Sequence, residues 1–322
     1  MTVAQSATLT MDGRLDPQVT HRLRDLSVLV SLPQVTLRLM SLISNPNTSV
    51  KEVQEVLERD PALTAKIISL ANSTYYSVRT PVKTVERAIT IIGYQELGLL
   101  AMGLGLSETF NITTSPKGFD WESLWIHSLA VSWLSQRLAQ RVGLAEIGEP
   151  MVAGLLHELG IIILVSKFPS QFQNLLDLIL AGQSGLEAEK ALRIRHELIG
   201  YELARQWKLP EVYQEVILYH HCPDKAPRYK QVVAMTALAD ALSHKLGFGL
   251  MTEVLEVDLA YYLEALGLSV LELQGFIKDT LLVANEVSPL WRQLLRFGEP
   301  SASKSRFSSL MKESEARKLG PA

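Results

Sequence analysis

The chain has 322 residues, 47% apolar and 20% charged, which excludes general disorder and supplies enough apolar mass for one large domain or two ordinary ones. Its net charge of -3 lacks the basic surplus expected of a nucleic-acid or acidic-membrane binder. The single cysteine, Cys222, excludes an internal disulfide and a cysteine-rich zinc site, and fits a reducing compartment.

Residues 1–18 are polar, without the apolar stretch of a signal peptide, and read as a flexible lead. The stripe Leu37, Leu39, Met40, Leu42 and Ile43 predicts a helix that stops at Asn45-Pro46. Ser49 with Glu52 forms a capping-box pattern for the next helix. Asp60-Pro61 is an N-cap with proline at the first helical position, and Ala62, Leu63 and Ile67 follow as core. Tyr75 and Tyr76 are expected to pack at a junction. Thr84 caps a helix carrying Val85, Ala88, Ile89 and Ile92, and Gly93 ends it. A helix from Gln95 to Phe110 is weakened by Gly98, Gly103 and Gly105.

The stretch Ser107 to Asp120 is the predicted boundary between two halves. Beyond it, helices are expected over 121–141, 149–166, 170–181, 186–207, 210–220 and 229–246, with more up to Phe297. Residues 300–322, rich in Ser, Lys, Arg and Glu, read as a disordered tail. Alternating strand patterns are nearly absent, so the expected class is all-α. The longest apolar runs, such as Gly98 to Leu106, fall short of the roughly 20 residues that span a membrane. The expected location is the cytoplasm.

Five of the 7 histidines carry the chemistry: His127, His157, His196, His220 and His221. Glu158 follows His157 directly, and Asp240 lies in an apolar helical run. A buried His beside a buried Glu needs a partner or a metal, because an uncompensated buried charge costs several kcal/mol. Singly, each histidine has an ordinary alternative. His157 and Glu158 can form a hydrogen-bonded pair, and His220 and His221 can cap a helix C-terminus. Together, N and O donors on separate helices suit iron, manganese or magnesium better than a structural zinc.

The order His127, His157-Glu158, His196, His220-His221, Asp240 resembles the ligand order of the HD superfamily of metal phosphohydrolases. The first half is more specific. Asp60-Pro61-Ala62-Leu63-Thr64-Ala65-Lys66-Ile67, Leu70-Ala71-Asn72-Ser73, Tyr75-Tyr76, Val85-Glu86-Arg87-Ala88-Ile89 and Ile92-Gly93 resemble the HDOD domain of bacterial signalling proteins, as does Leu32-Pro33 before them. The resemblance covers about residues 25 to 225. It implies an all-α domain over 19–250, with a first helical subdomain over 25–110 and an HD-like one over 120–250. A C-terminal helical region over 251–299 lies outside it. It also implies a regulatory, largely non-catalytic protein, with a candidate metal site, vestigial or sensory, at His127, His157, Glu158, His196, His220, His221 and Asp240.

Three departures weigh against turnover. HD hydrolases carry aspartate where Glu158 stands; the added methylene moves the carboxylate by about 1 Å, a displacement that can cost around 100-fold in rate. Ile161 replaces the lysine that follows the glycine in active HD-GYP relatives. His220-His221 leads into Cys222-Pro223, without a Gly-Tyr-Pro run. Cys222 reads as an inert thiol rather than a nucleophile. The preferred reading is a cytoplasmic bacterial signalling protein that binds a partner protein or ligand without turnover, with a divalent metal and self-association left open. The alternatives are a metal-dependent phosphohydrolase on nucleotides or phosphate esters, and a metal or redox sensor.

Overall fold

The computed structural model describes residues 19, 21, 23, 32–73, 76–110, 116–250 and 258–280. The expected lead over 1–18, Tyr75, the centre of the 107–120 boundary, and the expected helices and tail beyond 280 lie outside them. Among the described residues the protein is all-α.

The first half holds α1 (Gln34–Ser44), α2 (Val50–Glu58), α3 (Pro61–Ala71), α4 (Val85–Ile92) and α5 (Tyr94–Thr109). Their starts follow from local chemistry. Ser49 and Glu52 complete a capping box at α2, Asp60 accepts from the Ala62 and Leu63 amides at α3, and the Thr84 hydroxyl accepts from Arg87 N at α4. Gly93, at φ 97, ends α4 and starts α5, so the chain turns by 111° without a side chain in the left-handed region. Ala62 is exposed rather than core. It occupies the first turn of α3, whose inner face is carried by Leu63, Ile67 and Leu70. Tyr76 packs against the core.

Asn72 explains part of the motif around it. Its Nδ2 donates to Ile68 O and Val82 O, both at 2.8 Å, and its Oδ1 accepts from Val82 N at 2.7 Å. One amide side chain thus ties the end of α3 to the segment that enters α4.

The glycines of α5 serve packing. A Cβ at Gly98 would stand 2.4 Å from Ile43 Cδ1, and one at Gly105 would stand 2.1 Å from Thr36 Oγ1. They lower helix propensity, as expected, and let α1 lie directly on α5.

The second half comprises α6 (Trp121–Arg141), α7 (Gly148–Leu156), α8 (Leu159–Lys167), α9 (Pro169–Leu180), α10 (Gly185–Leu192), α11 (His196–Gln206), α12 (Glu211–Tyr219), α13 (Lys230–Lys245) and α14 (Leu259–Leu266). Residues 270–280 are again helical. Two of the long helices expected here are broken. The 149–166 run divides at His157 and Glu158, where Glu158 has ψ 21. The 186–207 run divides at Arg193, which is left-handed at φ 55 and ψ 40.

Gly148–Lys167, taken together, is 20 residues long and apolar enough to cross a membrane, longer than any run the sequence pattern isolates. Almost all of its residues are buried inside the fold. Its two segments lie in an apolar core that runs without interruption from α1 to α13. A second cluster joins α6 and α13 to α14 and the helix after it.

The halves meet under the C-terminus of α1. A Cβ at Gly148 would stand 1.9 Å from Ile43 O, so the start of α7 touches the α1 backbone. Beside it, the Ser44 hydroxyl and the Tyr213 phenol of α12 share a short hydrogen bond.

Candidate metal centre

Five elements deliver donors to one buried region. α6 supplies His127, the α7–α8 break supplies His157 and Glu158, and the first residue of α11 is His196. The end of α12 supplies His220 and His221, and α13 supplies Asp240. His127, His157, Glu158, His196, His220 and Asp240 are between 0% and 6% exposed, and His221 is half-buried.

The break in the helix serves the site. The Gly154 carbonyl, which an unbroken helix offers to the Glu158 amide, receives His157 Nδ1–H at 2.7 Å. The backbone turns there, and both side chains reach inward. The close approach of α8 and α11 brings His196 to them: a Cβ at Gly160 would stand 1.9 Å from His196 O.

The hydrogen bonds assign the ring tautomers. His127 Nδ1 lies 3.0 Å from Phe248 O and 3.1 Å from Ser243 Oγ, whose own proton goes to Asp240 O at 2.8 Å. His220 Nδ1 lies 3.0 Å from Ile217 O. His196 Nδ1 lies 2.7 Å from Glu189 Oε1. Carbonyl and carboxylate oxygens only accept, so Nδ1 carries the proton in His127, His157, His196 and His220. In the neutral rings, each Nε2 therefore presents a lone pair to the interior.

Those lone pairs face one another. His127 Nε2 is 3.1 Å from His157 Nε2, and His196 Nε2 is 3.2 Å from the Nε2 of both His220 and His221. Glu158 spans the two groups, with Oε1 3.9 Å from His127 Nε2 and Oε2 3.5 Å from His196 Nε2. Asp240 Oδ1 is buried, and lies 3.3 Å from His127 Nε2, 3.5 Å from His244 Nε2 and 4.0 Å from His157 Nε2. Converging imidazole lone pairs beside buried carboxylates need a proton or a metal cation between them.

Protonation meets that need unevenly. Burial pushes His127 and His220 down to about 4, and sets His157 and His221 well below the ordinary histidine value. Burial also acts to lower His196, but the Glu189 and Glu158 carboxylates override it and raise His196 well above that value. A proton on His196 Nε2 can bridge to His220 or His221. Near neutral pH the His127–His157 pair has no such proton. Burial would likewise raise Asp240, yet His244, His127 and His157 hold its carboxyl well below the usual carboxylate range.

The sequence-predicted donors thus come together, and the histidine clusters can hold a metal. Pattern reading missed the groups that orient them: Glu189, Ser243, the Phe248 carbonyl, and His244 beside Asp240. Only His244 carries a signal in the sequence, one helical turn after Asp240. Cys222 has its thiol pushed up by burial, opposite to an activated nucleophile.

Comparison with known proteins agrees with the fold. The family model described as HDOD domain matches residues 29–223. An HDOD domain protein of unknown function from Geobacter sulfurreducens superposes with a TM-score of 0.71 at 25% identity, covering 84% of this chain and 96% of that one. A Marinobacter aquaeolei VT8 protein, described as acting in signal transduction, gives 0.70 at 23% identity, over 90% of this chain and 64% of that one. A Shewanella amazonensis SB2B protein, described as a phosphohydrolase, gives 0.64 at 24% identity, over 86% and 98%. A Treponema pallidum (strain Nichols) protein is 24% identical over 72% of this chain, which spans 44% of that relative's length.

Proposed function

This chain belongs to the HDOD domain family, and from that premise we propose that it is a bacterial signal-transduction protein whose HDOD domain carries a metal centre and acts by binding a partner protein, without turnover. The observation that carries the metal reading is the set of four histidines whose Nδ1 atoms are committed to oxygen acceptors while their Nε2 atoms converge.

Two ions fit the donor set. His127, His157 and Asp240 would hold one, His196, His220 and His221 the other, and Glu158 would lie between them. A donor set dominated by imidazole favours iron or manganese over magnesium. Such a centre supplies Lewis acidity and, for iron, a redox state that a partner can read.

Two features support regulation over hydrolysis. Ile161 is fully buried and apolar at the position where the HD-GYP resemblance calls for a phosphate-contacting lysine. Glu158 is longer than the aspartate of HD hydrolases. A cytoplasmic setting and a protein partner belong to this same proposal, as does the absence of any nucleic-acid or membrane role. Among the described residues, the continuous apolar stretch of membrane length, Gly148–Lys167, is taken up by the core.

The test is metal analysis of the full chain purified without oxygen or chelator, followed by phosphatase assays with manganese, iron and magnesium. Near-stoichiometric iron or manganese without hydrolysis is expected. Metal-dependent release of phosphate from nucleotides or phosphate esters would replace this reading with the hydrolase. Absence of any bound cation would overturn the metal centre.

A further inference from the structure

Beyond the donors that the family resemblance marks out, one residue faces the same interior. His244 lies one helical turn after Asp240 on α13, so both project from one face. Its Nε2 is 3.5 Å from Asp240 Oδ1, and its ring centroid is 5.3 Å from that of His127. His127, Asp240 and His244 each offer a ligand atom, and these atoms lie within 4.8 Å of one another.

Asp240 Oδ1 is the second, independent observation. It belongs to a residue that is 1% exposed, and three imidazole Nε2 atoms, the His244 one among them, stand around it at 3.3, 3.5 and 4.0 Å. A carboxylate oxygen with that surround is placed for a cation shared with the rings.

The turn after α13 is shaped to this ring. Gly249 lies against His244, and a Cβ there would stand 2.4 Å from its Nδ1. Phe248, one residue earlier, gives its carbonyl to His127 Nδ1. The same short turn therefore holds His127 and borders His244. The His244 side chain is 14% exposed, against 0% for His127 and 2% for Asp240, so it forms the solvent-facing edge of this end of the site.

We propose that His244 is a further metal ligand, closing with His127 and Asp240 a three-donor end of the centre on its solvent side. The inference rests on the metal reading above and adds a residue to it. Its role is to hold the ion at the edge, where ions enter and leave.

The experiment compares the full-length protein with His244→Gly, loaded with cobalt(II) or manganese(II), by counting bound ions and titrating them against a chelator. The wild-type chain is expected to hold two ions. His244→Gly should retain the ion at His196, His220 and His221, and lose the other or bind it more than about 100-fold more weakly. Free imidazole at millimolar concentration should restore the lost ion, since the vacated position borders solvent; a packing role would not be rescued in this way. Unchanged stoichiometry and affinity in His244→Gly would overturn the assignment while leaving the centre intact. So would a loss that imidazole does not reverse. A wild-type chain that holds no ion would remove the underlying metal reading and this inference with it.

Discussion

The Nε2 atoms of His127 and His157 lie 3.1 Å apart, and each ring has its Nδ1 proton committed to a carbonyl oxygen. Two neutral imidazoles in this arrangement point lone pairs at each other inside the core. A cation held between the rings would relieve this contact.

Acid should therefore destabilise the metal-free protein. His127 and His220 are pushed down to about 4 by burial, and His157 and His221 are also lowered. Between the ordinary histidine value near 6.5 and about 4, the unfolded chain binds protons that the folded one refuses, so stability falls with pH across that window. His196 is raised, so its contribution is complete below 6.5 and is lost only as pH rises through its own higher value. It does not offset the loss. Thermal midpoints of chelator-treated protein should fall steadily from pH 6.5 to 4.5; a flat profile would contradict the assigned neutral rings.

Glu189 binds His196 twice, through Nδ1 at 2.7 Å and through the backbone amide at 3.0 Å. Glu189→Ala should weaken metal binding by roughly 10- to 100-fold, as loss of an orienting partner does. Glu189→Gln, which keeps an accepting oxygen, should recover part of the loss. Chelator competition measures both, and equal affinities in all three proteins would count against the orienting role.

Gly160→Ala would set a methyl group 1.9 Å from His196 O, against backbone on both sides. We expect at least about 1–3 kcal/mol of destabilisation in urea titrations. A metal affinity reduced beyond the stability loss would reflect displacement of His196. A variant as stable as the wild type would disprove the close approach of α8 and α11.

Asn72→Ala removes three hydrogen bonds, two of which join the end of α3 to the segment before α4. A loss of about 1–3 kcal/mol is expected, with metal content unchanged, because the site lies in the other half. Denaturant unfolding and metal analysis check the two parts separately.

The helix starts of the first half were legible because their signals are local. Ser49 with Glu52, Asp60 with Pro61, and Thr84 each satisfy amides within three residues. The candidate metal donors were legible by residue type and order. The breaks at Glu158 and Arg193 were not, because periodicity continues through them and only tertiary demands bend the backbone there. Glu189 escaped notice for a similar reason: its role exists only once α10 folds back against the start of α11. The glycines of α5 were read by propensity alone, whereas packing against Ile43 and Thr36 requires them.

The meeting of three helices at the end of α1 has a mechanical consequence. α7 begins at Gly148 against the Ile43 backbone and runs to His157, while α12 holds Ser44 through Tyr213 and runs to His220. Two rigid struts thus share one abutment and carry opposite ends of the histidine cluster. A change in the spacing of those histidines would therefore load the contacts at Ile43 and Ser44, at the far end of both struts.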